Sequence, residues 1–126
     1  MTLILDTGAL VALDSDDRAM WARLKGALLD ADVPVTHAGA FGHAWRLGGN
    51  QRRLEMALAG VEIKALDETV ARLASRFVTD AGEGSELLDA ALVLLAGDDD
   101  EIMTSDPKRL TPIAQASGLH LELVQT

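Results

Sequence analysis

Five short apolar runs, each closed by a turn or an acid and separated by helical stretches, constrain this chain more than any other feature. Thr2–Leu5 ends at Asp6-Thr7-Gly8, and Val33–Thr36 precedes a helical stretch from about Ala38 to Leu47. Val61–Ala65 stops before Asp67, and Glu101–Thr104 stops at Ser105-Asp106-Pro107. In the last run Leu119, Leu121 and Leu123 alternate with His120, Glu122 and Val124, the pattern of a half-buried strand. Strands alternating with helices predict an α/β protein, a three-layer α/β/α sandwich around a mainly parallel sheet of about five strands.

The helices are read from period and caps. Ser15, with Asp16 and Asp17 behind it, predicts a helix start, followed by Met20, Leu24, Ala27, Leu28 and Ala31 at helical spacing. Gly48-Gly49-Asn50 breaks the chain before a helical Gln51–Leu58. Asp67 is a good N-cap for the amphipathic series Val70, Leu73, Ala74, Phe77 and Val78. Ala81–Gly84 reads as a loop, Ser85 as the cap of a helix to about Ala96, and Asp98–Asp100 as a solvated acidic loop. A final helix runs from Pro107 to about Ser117. The 126 residues suit one domain, read as residues 1–126.

Composition excludes several classes. There is no cysteine, hence no disulfide framework and no thiolate site. A net charge of -9 argues against a broad basic nucleic-acid-binding surface, though not against an enzyme with a small basic rim. The apolar start carries Asp6 and lacks a positive leader, and Ala90–Ala96 is far short of a bilayer span, so a cytoplasmic protein without membrane contact is expected.

In open parallel sheets ligands bind beyond the carboxyl ends of the strands. Asp6 and Asp106 follow the first and fourth strands, and Thr7, Thr104 and Ser105 add hydroxyls beside them. Asp89 interrupts an apolar helix face, where an acid without a partner is uncommon, and Glu86 lies three residues before it. Crowded carboxylates raise one another's pKa, and a divalent ion with oxygen ligands, such as Mg²⁺, removes that conflict. A strand-end aspartate such as Asp6 or Asp106 is more often a turn former or helix cap, and Glu86 suits the positive first turn of its helix without any metal; Asp89 is harder to dismiss. His37 and His43 lack the spacing of a helical zinc pair, and His37 and His120 read as packing or surface residues. Arg46 with Arg52 and Arg53, and Lys108 with Arg109, form two basic groups suited to phosphate or to ordinary solubility. Trp21 and Trp45 read as packing or partner anchors rather than a base-stacking platform. A dehalogenase-like phosphotransferase needs a second aspartate two residues after Asp6, where this chain has Gly8. A response-regulator receiver needs an acid pair near the first strand, and no acid adjoins Asp6.

Three stretches together, ILDTGALVAL at Ile4–Leu13, LLDAALVLLA at Leu87–Ala96 and TSDPKRL at Thr104–Leu110, resemble the signature segments of PIN-domain ribonucleases. The likeness is greatest to the virulence-associated protein C (VapC) toxins of bacterial toxin–antitoxin pairs. It implies a PIN-like fold over the whole chain and a metal-dependent endoribonuclease. Asp6, Asp89 and Asp106 would be catalytic ligands of Mg²⁺ or Mn²⁺, with Thr104 as the accompanying hydroxyl and Glu86 as a secondary acid. The family's usual Glu-x-x-Arg on the third helix is here His43-Ala44-Trp45-Arg46. Imidazole is a better ligand for Mn²⁺ than for Mg²⁺, so His43 bears on metal choice and activity. The resemblance further implies an RNA substrate, a homodimer, and a small cognate antitoxin whose tail reaches the acidic pocket; from the basic groups above, Arg46, Lys108 and Arg109 are the residues expected to contact the RNA. A catalytically weak module that dimerises and binds the antitoxin is the alternative.

Overall fold

A computed structural model describes residues 1–82 and 84–126. Residue 83, part of the expected Ala81–Gly84 loop, lies outside them. The strands are β1 (Leu3–Leu5), β2 (Val35–His37), β3 (Glu62–Lys64), β4 (Glu101–Thr104) and β5 (Glu122–Gln125). They form one five-stranded sheet, parallel throughout, in the order β3-β2-β1-β4-β5. Helices among the described residues are α1 (Thr7–Asp14), α2 (Arg18–Leu29), α3 (Ala38–Leu47), α4 (Arg52–Leu58), α5 (Glu68–Ala81), α6 (Leu87–Val93) and α7 (Pro107–Ser117).

Alternation along the two central strands divides the core into two layers. Leu3, Leu5 and Met103 face α1 to α4, packing with Leu10, Leu13, Met20, Leu24 and Leu54. Ile4 and Ile102 face the other way, onto Ala74 of α5, Ala90–Val93 of α6, and Leu110 and Ile113 of α7. Trp21 and Trp45 pack against the first layer, and the Trp21 indole donates to the Leu13 carbonyl at 2.9 Å. The result is the expected α/β/α sandwich. Among the described residues no helix is long and apolar enough to cross a membrane.

Four local readings change. The helix expected from a Ser85 cap to about Ala96 instead runs from Leu87 to Val93, with Glu86 at the N-cap position and no side-chain capping bond. A helix, α1, starts directly after β1, where only a turn was read. Its sequence, TGALVALD, is apolar on nearly every side and so shows no helical period, while the Asp6 side chain caps it by accepting from the Ala9 amide at 2.8 Å. The helix read from Ser15 opens instead at Asp17, whose carboxylate accepts from Met20 N; Asp16, at a φ of 62°, makes the break between α1 and α2. Asp98 and Asp99 are exposed as expected, but Asp100 is buried and accepts from the Thr2 and Gly97 amides, both at 2.7 Å.

Candidate metal centre

Strand order places the site. From β1 the chain builds outward through β2 and β3, then returns to lay β4 and β5 on the other side, so the direction of winding reverses between β1 and β4. That reversal leaves a crevice beyond the carboxyl ends of the two strands. Leu5 pairs with Met103, and the Asp6 amide donates to the Met103 carbonyl at 3.1 Å. Asp6 and Thr104 therefore sit at the floor of the crevice, and both are buried.

A cleft of about 590 Å³ adjoins them, lined by their chain neighbours Thr7 and Ser105 together with Gly8, Val11, His43, Leu47, Glu86, Leu88, Asp89 and Arg109. It is built by close approach. A Cβ at Gly8 would overlap the Ser105 side chain and stand 3.1 Å from its amide nitrogen, so the first turn of α1 meets the β4–α7 connection only because residue 8 has no side chain.

Asp6 is the most constrained acid. Its Oδ1 is spent on the cap of α1, and its buried Oδ2 has no well-aligned hydrogen bond, the Thr104 hydroxyl being the neighbour that partly compensates the carboxyl. Burial raises its carboxyl pKa above the usual range, and the neighbouring Asp89 adds to the rise. Thr104, the Ala9 amide and the Arg109 charge oppose this without reversing it. Asp89 faces the same space from α6. Its two oxygens accept from Arg109 in a fork, Nε to Oδ2 at 2.9 Å and Nη2 to Oδ1 at 3.3 Å, while Nη2 stands 3.8 Å from Asp6 Oδ2. The guanidinium thus lies between the two acids. Burial alone would lower its pKa, but Asp89, Asp6 and Asp106 together raise it, so it stays charged.

The remaining residues expected at the site divide. Glu86 and His43 line the cleft and are exposed. Thr104 Oγ1 accepts from the Asp106 amide at 3.0 Å and so holds the turn that follows β4. Asp106 itself is exposed and caps α7, Oδ1 accepting from Arg109 N at 3.3 Å. Arg46 and Lys108 are exposed and lie outside the lining of the cleft. No three Asp, Glu, His or Cys side chains among the described residues converge as a preformed ligand set. The unsatisfied Asp6 oxygen nevertheless suits a hard cation, because a buried carboxylate oxygen without a well-aligned donor is what such an ion would complete.

Two roles escaped the sequence reading. Arg109 is the partner that Asp89 required, yet the two stand twenty positions apart and meet only through the α6–α7 packing. His37 is buried at the end of β2, caps α3 by accepting from Ala40 N at 3.1 Å through Nδ1, and so donates through Nε2 to the Leu88 carbonyl at 3.0 Å. That bond ties α3 to α6 one residue before Asp89. Burial lowers the His37 pKa, opposed by the Leu88 carbonyl and the charge of Asp89. The residue packs, as one of the two expected readings had it, and also caps α3, which that reading missed. His120 is exposed, in the loop before β5, beside Asp99.

In comparison with known proteins, the chain matches no family model and no curated protein.

Proposed function

We propose that this protein is a divalent-metal-dependent endoribonuclease, hydrolysing RNA phosphodiesters as the toxin component of a bacterial toxin–antitoxin pair in the cytoplasm. The observation that carries the reading is the buried Oδ2 of Asp6, without a well-aligned hydrogen bond and close to Asp89 in the crevice where the sheet reverses. Stability alone gives no reason to keep a carboxylate there. The resemblance of the three signature stretches adds RNA, a small antitoxin and homodimerisation.

Asp6 and Asp89 would hold Mg²⁺ or Mn²⁺, with Glu86 and His43 as further donors in the cleft lining and Asp106, outside that lining, as a donor only if its capping bond gives way. The ion would supply an activated water and stabilisation of the phosphodiester oxygens. Thr104 keeps the Asp106 turn in place, and the capping bonds of Asp6 and His37 hold α1 and α3 rigid around the cleft. Arg46 and Lys108 offer charges outside the lining to an RNA backbone.

His43 in the place of a glutamate, with Arg109 between the acids, favours a second reading: a binding module of low activity that acts through its antitoxin. Incubation of a mixed RNA pool with the protein, in Mn²⁺ or Mg²⁺ and with or without chelator, separates the two. Metal-dependent cleavage that Asp89→Asn lowers by about 100-fold or more supports the enzyme. Equal background cleavage by both chains in every metal removes it.

A further inference from the structure

We propose that Arg109 is a built-in placeholder cation, its guanidinium holding the acids of the metal-free site and giving way when a divalent ion enters. The inference rests on the metal reading above and deepens it, because it assigns this chain its own competitor for that site.

Four observations carry it. The guanidinium makes a forked contact with Asp89 at 2.9 and 3.3 Å, the geometry in which arginine is strongest toward a carboxylate. It stops 3.8 Å from Asp6 Oδ2, which is left without a well-aligned hydrogen bond, so it serves one acid fully and the other by charge alone. One positive charge faces two carboxylates, and a divalent ion in place of the guanidinium would balance both. Finally, the side chains of Asp6 and Asp89 are 3% and 12% exposed, whereas that of Arg109 is 37% exposed. The acids are fixed in the floor, while the cation enters from the solvent side and has water to return to.

The backbone makes such an exchange local. Arg109 N is held by the Asp106 cap in the first turn of α7, and Leu110 next to it is fully buried. Release of the guanidinium therefore needs side-chain rotation only, without movement of α7. Arg109 would set metal affinity low enough for the site to stay closed by its own cation when divalent ions are scarce.

The test is calorimetric titration of Mn²⁺ into the 126-residue chain and into Arg109→Met, which keeps an unbranched stem without the charge. The expected result is binding about ten-fold tighter in the variant, the equivalent of one charge-assisted contact no longer broken on binding. Equal or weaker binding by Arg109→Met overturns the placeholder and leaves the metal site standing. No binding by either folded chain removes the metal site and the placeholder with it. If Arg109→Met does not fold, NMR of the unsubstituted chain decides. The Arg109 Nε–H should be protected from solvent exchange in chelator and lose that protection on saturation with Mg²⁺, and protection retained at saturation overturns the proposal.

Discussion

Asp6→Asn should stabilise the fold at neutral pH in the presence of chelator. The aspartate is 2% exposed, and its Oδ2 has no well-aligned donor, the Thr104 hydroxyl offsetting the burial only in part. Leaving a buried charged acceptor unsatisfied costs about 1–3 kcal/mol. Against this stands the attraction of Arg109 at 3.8 Å, which is more than a third exposed and contributes about 0–1 kcal/mol. Asparagine keeps the oxygen that caps α1 and removes the charge. The net gain is about 1–2 kcal/mol, and for 126 residues it raises Tm by about 4–8 °C. The pH dependence has a definite sign. The folded-state pKa of Asp6 lies above its unfolded value of 3.8, so the native chain binds the extra proton and loses stability as pH rises through the folded pKa. The advantage of Asp6→Asn should accordingly be largest at neutral pH and shrink as pH falls toward 3.8. Thermal unfolding of both chains in chelator between pH 4 and about 7.5 reads the difference directly. A variant less stable than the parent at pH 7, or a difference that does not vary with pH, would refute the account of Asp6 as a strained acid.

Other substitutions probe the frame around it. His37→Ala removes the cap of α3 and leaves the Leu88 carbonyl without its donor, so urea unfolding should show a loss of about 2–4 kcal/mol. Because burial lowers the His37 pKa, its contribution is complete above the unfolded value of 6.5 and declines as pH falls toward the folded pKa; the parent should lose stability across that window relative to His37→Ala. Gly8→Ala forces apart α1 and the β4–α7 connection at Ser105 and should cost about 1–3 kcal/mol, read by thermal unfolding. Asp89→Asn should change stability by less than about 1 kcal/mol, since its partner is part-exposed, while abolishing Mn²⁺ binding in calorimetry.

Residues whose environment is set by near neighbours were legible in the sequence. Glu101–Thr104, a run of four residues ended by Ser-Asp-Pro, is β4 to the residue, and the helices at Ala38–Leu47 and Pro107–Ser117 begin and end where their breakers stand. The cap at Asp67 is present in the expected form. α1 was hidden because a helix buried on most of its surface loses the contrast between faces on which periodicity depends. Asp100 was misread because its partners, Thr2 and Gly97, include a residue at the far end of the chain. The site shows the same division. Asp6, Asp89 and Thr104 could be located from strand ends and an interrupted apolar face, whereas the Arg109 bridge depends on how α6 packs on α7 and has no signature in spacing. Asp106 shows how one residue answers two descriptions, since a strand-end acid is also an N-cap, and here its Oδ1 serves the cap.

The most direct test of the central claim is the rate at which the parent chain and Asp6→Asn cut a mixed RNA pool in Mn²⁺. The variant's stability is measured in parallel, so that loss of fold cannot stand in for loss of chemistry. The account predicts chelator-sensitive cleavage by the parent and a rate lower by about 100-fold or more in a variant at least as stable. Equal cleavage by the two chains would contradict it.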